Sequence, residues 1–216
     1  MTRWLLALVF GLVASLVAAA LGAFGLQTLE LETYDARMRV VATGAGDLPP
    51  ISLVLIDDNS ITRMEPLVGR WPWPRVVHSL LIDFLARGPA KVVAYDVLFS
   101  EADKGTSQIL GTTWTGKESD DALVDSVRTA GNVILAVEAS SEGLVDSSKD
   151  VQAPLDGVAS LDRNWPISGF AERRPLLTPP FPALAAAVRG VGHARLAYDA
   201  DGPARRYVPF VEVAGR

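Results

Sequence analysis

Twenty-three consecutive residues near the N-terminus, Trp4 to Leu26 (WLLALVFGLVASLVAAALGAFGL), carry no charge and a single hydroxyl, Ser15. A bilayer core of about 30 Å is crossed by roughly 20 apolar residues at 1.5 Å each, so this stretch spans it as a helix with some tilt. Arg3 is the only charge before it, whereas Glu30, Glu32 and Asp35 follow closely. Positive charge at the short end holds that end in the cytoplasm, and Trp4 suits the interface there. A core helix of a soluble domain would show a polar face, and this stretch has none. Ala18, Ala19 and Ala20, after a 14-residue apolar region, leave a second reading open, a cleaved signal peptide. Both readings export the rest of the chain. The expected location is the inner (cell) membrane, with residues 28–216 in the periplasm or extracellular space.

Without Arg3 the chain retains 19 Lys and Arg against 25 Asp and Glu. Scattered charge with an acidic balance argues against a nucleic-acid partner, which requires a basic face. There is no Cys, hence no disulfide, no thiolate metal site and no thiol nucleophile. The length beyond the anchor suits one domain with a sizeable core.

Residues 28–41 read as a helix continuing from the membrane, with Gly44, Gly46, Pro49 and Pro50 breaking the chain after it. Residues 51–57 (ISLVLID), 91–99 (KVVAYDVLF) and 132–139 (NVILAVEA) are near-continuous apolar runs, as strands buried on both faces would be. Residues 74–87 form an amphipathic helix with Pro74 in its first turn and Gly88-Pro89 beyond its end. A further helix covers 120–130, closed by Gly131, and a short one covers 182–189. Residues 140–180 are polar and Pro-rich, a long excursion. Residues 191–199 and 205–213 read as two strands joined by the turn Ala200-Asp201-Gly202-Pro203. Alternating strands and helices predict an α/β fold: a largely parallel sheet covered by helices, with an antiparallel edge from the last strand pair, preceded by one transmembrane helix.

Candidate chemistry gathers at strand ends. Asp57 and Asp58 close the first predicted strand and Asp96 lies near the end of the second. Ligands of open α/β sheets bind at such carboxyl ends, and hard oxygen donors suit Mg²⁺ or Ca²⁺. Each Asp also suits a helix cap or a pair with an Arg such as Arg75. The run Asp57-Asp58-Asn59-Ser60 has Asn where an aspartyl phosphatase needs its acid/base. A phosphoacceptor receiver domain has no kinase donor outside the cytoplasm. Gly69-Arg70-Trp71-Pro72-Trp73-Pro74-Arg75 holds two aromatic rings between arginines, as a ligand-pocket wall or a hydrophobic plug would. Asp199-Ala200-Asp201-Gly202 lacks the acids and spacing of a calcium loop; it reads as a turn, with Arg205 and Arg206 as partners for its acids. His78 and His193 have no partner at metal spacing and read as structural. There is no Gly-x-Ser-x-Gly elbow. The candidate ligand-binding residues are Asp57, Asp58, Asp96, Trp71, Trp73 and Arg75, with no catalytic or metal-ligating residue and no cofactor.

Five pieces stand in one order: Tyr34-Asp35-x-Arg37, Val54-Leu55-Ile56-Asp57-Asp58-x-Ser60, Trp71-Pro72-Trp73-Pro74-Arg75, Tyr95-Asp96-Val97-Leu98-Phe99, and Asp199-x-Asp201-Gly202 with Arg205-Arg206. Together, over residues 28–213, they resemble the CHASE type 2 domain, an extracellular sensor associated with cyclases and histidine kinases. The resemblance implies a periplasmic or extracellular part of a bacterial receptor, following one membrane helix and preceding others. A cyclase, histidine kinase, diguanylate cyclase or Ser/Thr kinase would be the cytoplasmic output. Ligands of the family are generally unknown, so it supplies no binding residues. The expected organisation is an anchor at 1–27, a sensory domain at 28–213 and a truncated end at 214–216, the chain being a fragment of the receptor. The expected function is sensing a small ligand or envelope signal, with an output enzyme outside this chain and a possible homodimer through residues 28–41. The alternative is an exported metal-dependent phosphoesterase using the strand-end aspartates.

Overall fold

A computed structural model describes residues 2–43, 50–109, 111–140, 172–174, 176–199 and 201–212. The chain divides into two units, Met1–Leu55 and Ile56–Arg216.

The first unit is dominated by α1 (Thr2–Thr43), 42 residues without interruption. At 1.5 Å per residue it is about 63 Å long, roughly twice a bilayer core. Its segment Arg3–Ala20 is long and apolar enough to cross a membrane, with a mean hydropathy of 2.0 and no buried side chains. The predicted helix at 28–41 is the same helix continued, and α1 ends beside Gly44, where the break was expected. Residues 51–57 do not form the strand their apolar run predicts. No strand includes them, and Ile51 and Leu53 are each 79% exposed. An apolar run makes a strand only where a neighbouring edge takes up its backbone in a ladder, and no ladder among the described residues includes 51–57.

The second unit opens with α2 (Asp58–Val68), which the sequence reading did not include. The Asp57 carboxylate accepts from the Ser60 amide at 2.8 Å and from its hydroxyl at 2.6 Å, capping the first turn. Gly69, at φ 88°, closes the helix, a conformation open to glycine at little cost. Next come α3 (Arg75–Ala86), β1 (Val93–Tyr95), and a hairpin of β2 (Thr106–Ile109) and β3 (Thr112–Thr115) that was not anticipated. The helix expected at 120–130 begins earlier, as α4 (Gly116–Ala130), because Thr115 and Glu118 form a capping box. It ends as predicted at Gly131, left-handed at φ 64°. The remaining elements are β4 (Val133–Ser140), β5 (Glu172–Arg173), β6 (Leu176–Thr178), α5 (Pro182–Ala185), β7 (Gly190–His193) and β8 (Val211–Glu212). Most of the 140–180 excursion lies outside the described residues.

The sheet is mixed and partly parallel, with β4 as its hub. β1 runs parallel to the start of β4 (Val93 opposite Val133), β7 parallel to its middle (Leu135 opposite Val191), and β6 antiparallel to its end (Ala139 opposite Leu177). A strand with neighbours along its length is buried on both faces, so Val133, Leu135, Ala136, Val137 and Ala139 are all buried. The antiparallel neighbour is β6 rather than the last predicted pair. Those segments meet in one antiparallel bridge, Ala197 with Arg206, while β8 pairs parallel with β5. Tertiary context, not local pattern, decides which edge a short strand joins.

Two apolar clusters hold this unit. Ile82 of α3, Leu123 and Val127 of α4, Val133 of β4 and Leu184 of α5 are fully buried in the first. Burying such a side chain contributes about 1.5–3 kcal/mol. In the second, Trp73, Val76 and Val77 pack with Val68 and Ile109, joining α2, α3 and the hairpin. The N-terminus of α3 has no cap of its own, since Pro74 precedes it. Ser119 of α4 accepts from the Val76 amide at 2.9 Å instead, so one helix satisfies the other's orphan donor.

Candidate ligand site around His78

The Trp-Pro-Trp-Pro-Arg run lies against the start of α3. Its Trp71–Pro72 peptide is cis. Trp73 is 5% exposed and Trp71 is 39% exposed, and their rings meet edge-on at 5.2 Å. Both rings flank His78, Trp71 at 5.8 Å and Trp73 at 6.2 Å between centroids. One turn of α3 separates Arg75 from His78, which puts both on this side of the helix. Tyr95 of β1 and Phe99 from the segment after it complete the cluster: His78 Nδ1 lies 2.7 Å from the Tyr95 hydroxyl, and its ring meets that of Phe99 at 5.1 Å. The Arg75 guanidinium stands 4.9 Å from the Phe99 ring centroid, a cation–π contact.

Burial sets the electrostatics. It pushes the His78 imidazole down to about 4, helped by the charge of Arg75 and opposed by a hydrogen bond to the Trp73 backbone, so the ring is neutral at pH 7. It pushes the Tyr95 phenol well above its ordinary value, keeping it protonated. Asp120 sits behind Arg75, its Oδ1 3.9 Å from the Arg75 Nε, while its Oδ2 accepts from the Asp103 amide at 2.9 Å. Burial raises the Asp120 carboxyl more than that amide and Arg75 lower it. Among the described residues, Trp73 Nε1, Arg75 Nε and Asp120 Oδ1 are buried without a hydrogen-bond partner, the last two facing each other only as the 3.9 Å ion pair. Most buried polar groups are satisfied, so the indole N–H of Trp73 beside this long ion pair marks a place with spare hydrogen-bonding capacity.

Trp71, Trp73 and Arg75, from the sequence-derived set, therefore come together. The aspartates do other things. Asp57 caps α2, and the two Ser60 bonds lower its carboxyl below the ordinary range. Asp58 lies exposed in the first turn of α2, and Asp96 is exposed beside the buried Tyr95. Among the described residues no group of three or more His, Asp or Glu is placed to hold a metal ion.

Residues 9–214 match the family of the CHASE2 domain, nearly the whole chain. The chain belongs to this family. CHASE2 domains are extracellular sensory domains of receptors, not catalytic ones. No curated protein and no solved structure matches it.

The CHASE2 fold also shows what the sequence reading missed. His78 is buried and bonded to Tyr95, in keeping with its reading as structural, but its place at the centre of the aromatic cluster, with Tyr95, Phe99 and Asp120, was not foreseen. The one available signal was the Arg75/His78 spacing on α3. The Asp199 turn is as expected. Gly202 adopts φ 105°, and Arg205 bonds Asp199 at 3.1 Å and Asp201 at 2.7 Å, with Arg206 within 3.5 Å of Asp199. Those acids are taken up by arginines.

Proposed function

We propose that this chain is the sensory part of a membrane-bound receptor, anchored in the cell membrane by α1, with residues 28–216 outside the cytoplasm. Its signal controls a cytoplasmic cyclase or kinase. The observation that carries this reading is the extent of the family match: it begins at residue 9, inside the apolar helix, so helix and sensory domain are matched together. That supports an uncleaved anchor over a removed signal peptide. An unbroken helix about 63 Å long provides a rigid element to carry a change of state from one side of a bilayer to the other.

The ligand-binding surface in this reading is the crevice of Trp71, Trp73 and Arg75, bordered by Asp57, Asp58 and Asp96. The indole N–H of Trp73, without a hydrogen-bond partner among the described residues, supports a polar ligand there. Binding signals only if the ligand has different affinities for two states of the domain. The outward part of α1 exposes Leu29, Met38, Val40 and Val41, which suits pairing of two chains through residues 28–41. Light scattering of the purified chain tests the pairing. Trp73→Ala and Arg75→Ala in the receptor that carries this chain are expected to abolish its response while leaving basal output. Unchanged responses in both would remove the site from the proposal.

A further inference from the structure

A cavity of about 410 Å³ lies among α3, α4 and the β2–β3 hairpin, and neither His78 nor either Trp of the Trp-Pro-Trp-Pro-Arg run lines it. Its size falls in the range of small-molecule sites. Its walls are largely apolar: Val76 and Leu80 from α3, and Ile109 and Trp114 from the hairpin. Among the described residues, four polar ones interrupt the apolar lining: the Ser79 hydroxyl is taken up by the Val76 carbonyl at 2.7 Å and Thr112 is exposed, which leaves Ser126 and Asp83. Ser126 of α4 is buried, and its hydroxyl makes no hydrogen bond among the described residues. Asp83 of α3 is half-buried, and its carboxylate makes neither a hydrogen bond nor an ion pair among the described residues.

Asp83 carries the one charge in this lining among the described residues, and its carboxylate is open to a cation. Its neighbours in the cavity are a face of aliphatic carbon and an indole ring, which welcomes a cation as well as an apolar group. An anion is repelled here, and a neutral apolar molecule leaves Asp83 unpaired. The geometry points to a binding site for a small organic amine: the ammonium on Asp83, with Ser126 as a second polar contact, and the hydrocarbon body against Val76, Leu80, Ile109 and Trp114. Because the walls come from two helices and a hairpin, an occupant ties three elements together. That binding makes the amine a sensed ligand rests on the receptor reading above; the binding itself does not.

Isothermal titration of the whole purified chain in detergent, with 2-phenylethylamine and n-hexylamine, tests the site. Their alcohols, 2-phenylethanol and n-hexanol, serve as neutral counterparts. At least one amine is expected to bind saturably and at least tenfold more tightly than its alcohol. Asp83→Asn is expected to remove that preference, and Ser126→Leu, which fills the cavity, to weaken amine and alcohol alike. Thermal melts of both variants show whether the fold is kept. No saturable binding by either amine, or binding unchanged in a folded Asp83→Asn variant, overturns the site. Either result leaves the receptor reading standing, since this titration measures neither location nor signalling.

Discussion

The Tyr95 hydroxyl lies 2.7 Å from Nδ1 of His78, and both residues are buried. This bond ties α3 to β1 through the middle of the aromatic cluster. Tyr95→Phe keeps the ring and removes the oxygen, leaving a buried imidazole nitrogen unsatisfied. The expected loss is about 1–3 kcal/mol in urea unfolding. A loss well below 0.5 kcal/mol would show that the bond contributes little to the fold.

Stability should depend on pH through the same histidine. Burial holds His78 near 4 in the fold, against 6.5 as an ordinary imidazole, so below pH 6.5 the unfolded chain takes up a proton that the fold refuses. Its contribution is complete above pH 6.5 and is lost as the pH falls toward 4, on the order of 3 kcal/mol. Asp120 acts in the opposite sense, because its raised carboxyl binds a proton more readily in the fold than when unfolded. Urea midpoints measured from pH 7 to pH 4 should fall, and His78→Gln should flatten the slope between pH 6.5 and 4.

Gly116 starts α4 with its amide donating to the Gly105 carbonyl at 2.7 Å. A Cβ at this position would overlap the backbone carbonyl of Asp103. Gly116→Ala is therefore expected to cost about 1–3 kcal/mol by forcing the backbone aside. Thr115→Ala, which removes one side of the capping box, costs about 1 kcal/mol. Chemical denaturation of the two variants side by side checks the order.

Much of the domain was legible because burial and local signals agreed. β4 showed a near-continuous apolar run because it is paired along its length, and α4 was bounded at Gly131 by a glycine that does adopt a left-handed conformation. α2 was missed because Pro66 and the polar run DNSITR obscure its period, although Asp57 and Ser60 carried the cap that starts it. The hairpin was missed because Thr-rich β2 and β3 lack an apolar run, with Gly111 at φ 80° the sole turn signal. For residues 51–57 the apolar run was real, but no ladder among the described residues includes it. Of the site, the Trp-Pro-Trp-Pro-Arg run announced itself through composition. His78, Tyr95 and Phe99 meet only through tertiary packing, which no local spacing encodes.

The aspartates separate structural from functional roles. Asp57→Ala removes the cap of α2 and should lower the urea midpoint, whereas Asp96→Ala, on the surface, should leave it in place. A signalling defect in Asp96→Ala with unchanged stability would then report on ligand contact. Unfolding curves run beside output assays of the receptor distinguish the two.

Location is the claim on which the receptor reading depends, and the absence of cysteine makes it directly measurable. Single cysteines at Arg87, exposed at the end of α3, and at Thr2, ahead of the apolar stretch, are labelled with a membrane-impermeant maleimide in intact spheroplasts. Arg87→Cys should react at once, and Thr2→Cys only after the membrane is permeabilised. If Arg87→Cys stays protected until lysis, the domain is not outside the cytoplasm and the account fails.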